Sequence, residues 1–463
     1  MLGVGLRAGA QEQQLSHART LALAAHYQQS IAVYDSVLAT DPRDFEAGLG
    51  RAQVVAWSGQ LPEAEREYRA LIVAGAGADA DKGLARVLAW RGQLAESERI
   101  YRAVVARDSM DTEGWTGVAQ VLQWEGRPRE AMVAIERGLA AHPDDGDARA
   151  LWRGLRPLVS PSMRPSVTSG GDTEHNTNVN TTLAADALAP WNGRYTVAGG
   201  VNDAWRGLAH GTSAGGRVGA TWADLGDRLT VGVAGGVATT NGTDVVARTV
   251  TTLAGSVRVS GRLAAPVTVG ATVFAAPFDE TAALIARGIR QASAGIDLAV
   301  TPPGVGGGRV EASGAYVGVG GGARDDDRIE GSAYVWSGAW RQLAVAVGSH
   351  GYGYLRDDTV DGYFTPASFV LGEGVVRWAT DRDGWNGSAE GGVGAQRIAA
   401  FGAPASTRPA YRVQGAISYR VAPGIEYGVS GGYALAASPE ATTAQAAGNY
   451  RGYSVGVTAR IIP

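Results

Sequence analysis

The sequence predicts a multidomain α + β chain. An N-terminal α-solenoid of about four helix-hairpin repeats is followed by a 16-stranded antiparallel transmembrane β-barrel. Three observations predict it. A motif recurs every 33 or 34 residues over the first third. Beyond Arg164, apolar and polar residues alternate with a period of two. Of the 67 glycines, 16 fall in residues 1–160 and 51 in residues 161–463.

The 463 residues include 41 basic and 45 acidic side chains, a net charge of −4, and no Cys. A disulfide scaffold, a Cys-ligated metal and a catalytic thiol are therefore excluded. No basic field marks a nucleic-acid partner. Lys82 is the single lysine. No apolar run approaches the roughly 18–20 residues of a membrane helix, which leaves membrane barrels open. Ala8-Gly9-Ala10 before Gln11 resembles a secretory cleavage site, although Met1–Arg7 is too short for an apolar signal core. Residues 1–13 are read as a signal remnant or N-terminal tail of an exported protein.

The repeating segment comes next, over residues 14–157. Trp57-Ser58-Gly59, Trp90-Arg91-Gly92 and Trp124-Glu125-Gly126 are one motif at spacings of 33 and 34. Tyr34, Tyr68, Tyr101 and Ile135 share a second column, Pro42, Ser109 and Pro143 a third, and Ala52, Ala85 and Ala119 a fourth. This period, with a turn glycine, a small residue, an aromatic and a closing proline, resembles the tetratricopeptide repeat. The resemblance implies paired antiparallel helices stacked into a solenoid with a concave binding face. A closing helix is expected near Asp147–Leu155. The tryptophans Trp57, Trp90 and Trp124 read as core residues of the repeat, with sugar stacking as the alternative. Gly59, Gly92 and Gly126 read as its turns.

A linker over 158–163 leads to the barrel, 164–463. Tyr453, Val455, Val457, Ala459 and Ile461 alternate with Ser454, Gly456, Thr458 and Arg460. Segments of about 10–13 residues recur with no amphipathic helix between them. That length suits tilted membrane strands better than soluble ones. Strands are expected near 164–174, 176–187, 192–205, 211–224, 228–239, 248–261, 265–276, 288–301, 308–320, 329–340, 342–355, 367–380, 385–398, 409–422, 424–436 and 449–462. Strand 176–187 is required by parity, although Asn176–Asn180 looks like loop. Long connections (240–247, 277–287, 321–328, 356–366, 399–408, 437–448) alternate with short ones, as external loops alternate with periplasmic turns. An even strand number places both the C-terminus and the helical domain in the periplasm.

Short repeats followed by a barrel, together with Gly362-Tyr363-Phe364-Thr365-Pro366 ahead of a late strand, resemble the outer-membrane porins of exopolysaccharide export. The outer-membrane subunit of bacterial cellulose synthase is the nearest type. The resemblance implies a pore in the bacterial outer membrane for a polysaccharide chain. Its periplasmic repeats would guide polymer, or dock an inner-membrane synthase or periplasmic proteins. Two departures stand out: the repeat array is shorter than in cellulose exporters, and the chain ends Ile461-Ile462-Pro463 without a terminal aromatic.

Strand phase selects the residues expected to line the pore. The basic set is Arg217, Arg258, Arg309, Arg377, Arg412, Arg420 and Arg460. The acidic set is Asp297, Glu311, Glu330, Glu373, Glu390 and Glu426, with Tyr334 and Trp336 as sugar-stacking faces. A polyanion pore should be strongly one-signed, so this balance favours a neutral or weakly charged polymer. The competing reading is that these charges pair and brace the wall. No enzyme is expected, nor any cofactor or metal. The six His lack metal-ligand spacing, and His350 reads as a rim residue. Asp325-Asp326-Asp327 and Asp357-Asp358 with Asp361 read as solvated acidic loops. Gly304–Gly308 reads as a turn. The rival function is a plugged barrel anchoring a repeat adaptor; a further rival is a secreted β-rich binding protein.

Overall fold

The computed structural model describes residues 2–189, 193–223, 229–243, 248–264, 266–302, 308–338, 342–357, 361, 363–382, 384–422, 424–436 and 450–462. Two compact units divide the chain at Val159/Ser160.

The first unit is helical: α1 (Leu2–Leu23), α2 (Tyr27–Thr40), α3 (Phe45–Trp57), α4 (Leu61–Ala74), α5 (Ala78–Trp90), α6 (Leu94–Arg107), α7 (Thr112–Trp124), α8 (Pro128–Ala141) and α9 (Gly146–Val159). Four hairpins and a closing helix follow. Local chemistry sets the ends. Asp44 and Asp111 cap α3 and α7 by accepting from the Ala47 and Gly114 N–H groups at 3.0 and 2.7 Å. Gly59, Gly92 and Gly126 turn the last three hairpins at φ +87°, +78° and +73°, where a side chain would strain the backbone, and Ala25 turns the first at φ +58°. Ala52, Ala85 and Ala119 are fully buried in the stack. Each repeat tyrosine covers a glycine of the next hairpin. A Cβ on Gly50, Gly83 or Gly117 would lie 2.1–2.6 Å from the ring of Tyr34, Tyr68 or Tyr101.

The tryptophans depart from the core expectation. Trp57, Trp90 and Trp124 are 37%, 42% and 44% exposed, whereas Tyr34, Tyr68 and Tyr101 are 3–4% exposed. Each Trp ends its helix two residues past a buried Val or Leu (Val55, Leu88, Leu122). Each also lies about 60° from a buried Val three residues back (Val54, Val87, Val121), so its ring stands at the edge of the core rather than within it. Two further bounds differ from the sequence reading. α1 starts at Leu2, so helix runs through the segment read as a tail, and only residues 160–161 separate α9 from the first strand.

The second unit is a closed antiparallel barrel: β1 (Ser162–Asp172), β2 (Asn176–Leu188), β3 (Arg194–Arg206), β4 (Ala209–Ala223), β5 (Leu229–Gly242), β6 (Arg248–Ala264), β7 (Val267–Pro277), β8 (Arg290–Val300), β9 (Arg309–Gly320), β10 (Asp326–Trp336), β11 (Leu343–Tyr354), β12 (Ser368–Arg382), β13 (Trp385–Ala399), β14 (Ser406–Ala422), β15 (Ile425–Leu435) and β16 (Arg451–Ile461). A short helix, α10 (Ala282–Arg287), lies between β7 and β8. Sequential strands pair, and β1 closes on β16 with Ser166 opposite Thr458 and Asp172 opposite Gly452. Closure leaves no unpaired edge, as a spanning sheet requires. β2 is real despite its Asn-rich start.

The outer face is apolar. Val197, Val218, Val233, Leu253, Ile296, Val347, Val393 and Val455 all project outward and are exposed. Tyr195, Trp222, Trp385, Tyr419 and Tyr427 ring the end at which only two residues separate β6 from β7, β12 from β13 and β14 from β15. Tyr316, Tyr411 and Tyr453 lie toward the other end, with the long connections 278–289, 355–367 and 436–450. An apolar band between two aromatic girdles is the arrangement a bilayer selects.

Candidate functional site: the barrel lumen

Alternation puts the opposite phase of every strand inside. There the structure places Arg217, Arg258, Asp297, Arg309, Glu311, Glu330, Tyr334, Trp336, Glu373, Arg377, Glu390, Arg412, Arg420, Glu426 and Arg460, each out of phase with the exposed apolar residues of its strand. Eight of them form one chain of contacts across β9–β14. Arg309 meets Glu311 at 2.9 Å, and Glu311 accepts from the Trp336 indole N–H at 3.0 Å. The Arg377 guanidinium lies 4.1 Å from the Trp336 ring centroid and bonds Glu390 at 2.7 Å. Arg412 reaches Glu390 at 2.5 Å and Glu373 at 3.0 Å, and Glu373 accepts from the Tyr334 hydroxyl at 2.7 Å.

The Arg412–Glu373 pair spans non-adjacent strands, β14 and β12. It passes over Gly392 on β13, where a Cβ would sit 2.1 Å from the Glu373 carboxylate. His350, read as a rim residue, joins this network through the Tyr334 hydroxyl at 3.1 Å. Elsewhere Arg258 pairs with Asp297 at 2.9 Å, Glu330 with Arg328 at 2.8 Å, and Glu426 accepts from the Ser418 hydroxyl. Arg217, Arg420 and Arg460 stand apart from the network, on β4, β14 and β16.

Two segments read as external loops fold into the lumen instead. On α10, Ile285 fills the space a Cβ on Gly211 would need, and Ala286 does the same at Gly242. Phe278, Leu284 and Ile289 pack with Val317, Val319, Tyr354 and Tyr363. Asn202 donates its side-chain N–H to the Asp279 carbonyl at 2.6 Å. Burial pushes the Asp279 carboxyl above the usual carboxylate range, opposed by its hydrogen bond with Ser213. The second segment is pinned by Asp361, whose carboxylate accepts from the Ala323 and Arg324 N–H groups at 2.8 and 3.3 Å. Tyr363 and Phe364 are almost fully buried, and the Pro366 carbonyl accepts from the Tyr354 N–H. The Tyr-Phe-Thr-Pro run is thus the anchor of an inward loop.

Asp361 and Asp326 spend their carboxylates on backbone N–H groups rather than on solvent. Gly362, Asp358 and Gly304–Gly307 lie outside the described residues. Sequence reasoning missed the inward loops, although Phe278, Leu284, Ile285 and Ile289 are a costly set to leave in water. Beside the inward segments a cavity of about 440 Å³ remains, lined by Asn176, Asn178, Glu280, Arg412, Gln414 and Tyr450 among others.

Strand closure, the apolar band, the girdles and the polar lumen define the class. The protein is a transmembrane β-barrel of the outer-membrane type, carried on the same chain as a tetratricopeptide-like solenoid. No protein-family profile and no curated protein sequence matches the chain. Solved structures resemble its parts. A bacterial polysaccharide outer membrane secretin is 12% identical over 66% of this chain and 99% of its own, with a TM-score of 0.49. CdiB from Acinetobacter baumannii is 8% identical over 65% of this chain and 60% of its own, with a TM-score of 0.42. A thermophilic TPR protein of Thermus thermophilus is 15% identical over 32% of this chain and 81% of its own, with a TM-score of 0.30.

Proposed function

We propose that the barrel is an outer-membrane export channel for a neutral or weakly charged, cellulose-like polysaccharide. The polymer is extended by an inner-membrane synthase. The solenoid stands on the periplasmic side, where it guides the chain or docks the synthase. One observation carries the reading: the inward charges of β9–β14 are spent on each other along the wall. Beside that network, amides, hydroxyls and aromatic rings are the groups left for a passing chain, with Arg217, Arg420 and Arg460 outside it, and a wall so neutralised suits sugar hydroxyls rather than a polyanion. Orientation follows from the turns. The barrel begins and ends on the side of the two-residue connections, which in this class is periplasmic. Transport of this kind needs no catalytic group.

The inward loops favour a second reading, an adaptor whose barrel is plugged. Planar-bilayer conductance separates the two. Intact protein should open only briefly, and replacing residues 279–288 by a short Gly-Ser link should give a steady, larger conductance. A barrel that stays closed after the replacement defeats the export reading and leaves the adaptor.

A further inference from the structure

The exposed tryptophans of the solenoid lie in register, and no core role accounts for them. Three helices repeat one stripe at the same spacing, ending on its exposed residue: Leu49, Gln53 and Trp57 on α3; Lys82, Arg86 and Trp90 on α5; Thr116, Gln120 and Trp124 on α7. Positions four apart stack on one helix face, so each Trp extends the face that precedes it. Between α3 and α5 that face lines a groove, which Trp57 borders. Gln53, Trp57, Lys82, Arg86 and Glu113 all border one cavity of about 430 Å³.

The groove's cations are already committed. The Lys82 ammonium meets Asp79 at 3.0 Å, Asp111 at 3.2 Å and Glu113 at 2.8 Å, one carboxylate for each of its three protons. Arg86 also pairs with Glu113. No clamp remains there for a terminal carboxylate or a phosphate. What the stripe offers is three half-exposed indole faces and the amides of Gln53 and Gln120. α3 touches α5, and α5 touches α7, so the three indoles follow one another along the solenoid, one to each hairpin. Ring faces with adjacent amides match a pyranose with its apolar face and hydroxyl rim.

We infer that Trp57, Trp90 and Trp124 form a stacking ladder on which the solenoid holds a neutral, extended β-linked glycan. The ladder deepens the export reading and takes from it only the class of polymer.

The test uses the full chain in detergent micelles and cellohexaose as the probe, followed by calorimetry. Intact protein should bind the hexaose at least tenfold more tightly than cellobiose, which covers one rung. Trp90→Ala should weaken binding at least fivefold, Trp90→Phe should retain most of it, and Gly154→Ala in α9, outside the stripe, should leave it unchanged. Circular dichroism of each variant verifies the helices, and if an alanine variant unfolds, the Trp→Phe and Trp→Leu series replaces it, with Phe retaining and Leu losing affinity. Equal affinity in the Trp57→Leu/Trp90→Leu/Trp124→Leu variant overturns the ladder, as does equal competition by an uncharged hexapeptide. A conducting barrel whose solenoid binds no hexaose sinks the ladder alone. A closed barrel whose solenoid binds it sinks the export reading alone.

Discussion

Replacing Arg412 with Ala asks whether the lumen network braces the wall. The Glu373 side chain is 1% exposed, that of Glu390 12% and that of Arg412 25%. Arg412→Ala removes contacts to both carboxylates and leaves two negative charges facing a shared space. Breaking a buried pair from one side costs about 3–5 kcal/mol. The lower end applies here, because Glu373 keeps the Tyr334 hydroxyl and Glu390 keeps Arg377. A loss of about 3 kcal/mol is expected, most of it the cost of a stranded Glu373. The double variant with Glu373→Gln should recover part of that loss, giving a coupling of roughly 1.5–3 kcal/mol in a double-mutant cycle. Urea unfolding in detergent, read by Trp fluorescence and by the gel-mobility shift of the folded barrel, measures each corner of the cycle. A coupling below about 0.5 kcal/mol, within the additivity of independent sites, would refute the bracing argument.

Four other perturbations separate local packing from charge. Gly83→Ala puts a methyl 2.1 Å from the Tyr68 ring; an overpacking cost of about 1–3 kcal/mol outweighs the roughly 1 kcal/mol gained in helix propensity. Gly154→Ala in α9 meets nothing within 4 Å and should stabilise by up to about 1 kcal/mol, so thermal melts of the two variants must move in opposite directions. Burial raises Tyr34 and Tyr101 and pushes Tyr68 up to about 12. Solenoid stability is therefore complete below the ordinary tyrosine value near 10 and is lost as pH climbs from there toward 12. Helical ellipticity against pH should fall less steeply in Tyr68→Phe, and an identical slope would exclude tyrosine ionisation as the cause. Asp279 is raised where its loop is docked, so docking is strongest at acid pH and weakens as pH rises through the docked value. Burial raises the neighbouring Glu280 as well, so channel openings should become more frequent as pH rises above the ordinary carboxylate value of about 4 and lose that dependence in Asp279→Asn/Glu280→Gln.

Legibility follows periodicity. The barrel strands announce themselves wherever the outer phase is fully apolar, as at Tyr453, Val455 and Val457. β2 is the hardest to read, and its register explains why. Asn176, Asn178 and Asn180 face the lumen while Thr177 and Thr181 share the outer phase with Val179 and Leu183, so the contrast between phases is small. The repeat is plain from its spacing, but spacing carries no information about which face a column occupies. Helical phase does not settle it either: Trp57 lies about 140° and 200° from Ala52 and Val55 but only about 60° from Val54, and all three are buried. Connection lengths alone point the inward loops outward. Composition argues otherwise, since a six-residue helix containing Leu284 and Ile285 has to bury them against something.

The lumen charges show why an inventory of signs is weaker than their pairing. Seven basic and six acidic side chains in the inward phase could produce a neutral average over patches of strong opposite potential. Such a lumen would hold a passing chain at charged patches. Here neutrality is local, because Arg377, Glu390, Arg412 and Glu373 compensate one another within hydrogen-bond distance along adjacent wall positions. Gly392 is what permits it, since any side chain there would stand between Glu373 and Arg412. Gly392→Ala should therefore reproduce the stability loss of Arg412→Ala without removing a charge. The two together should cost little more than either alone.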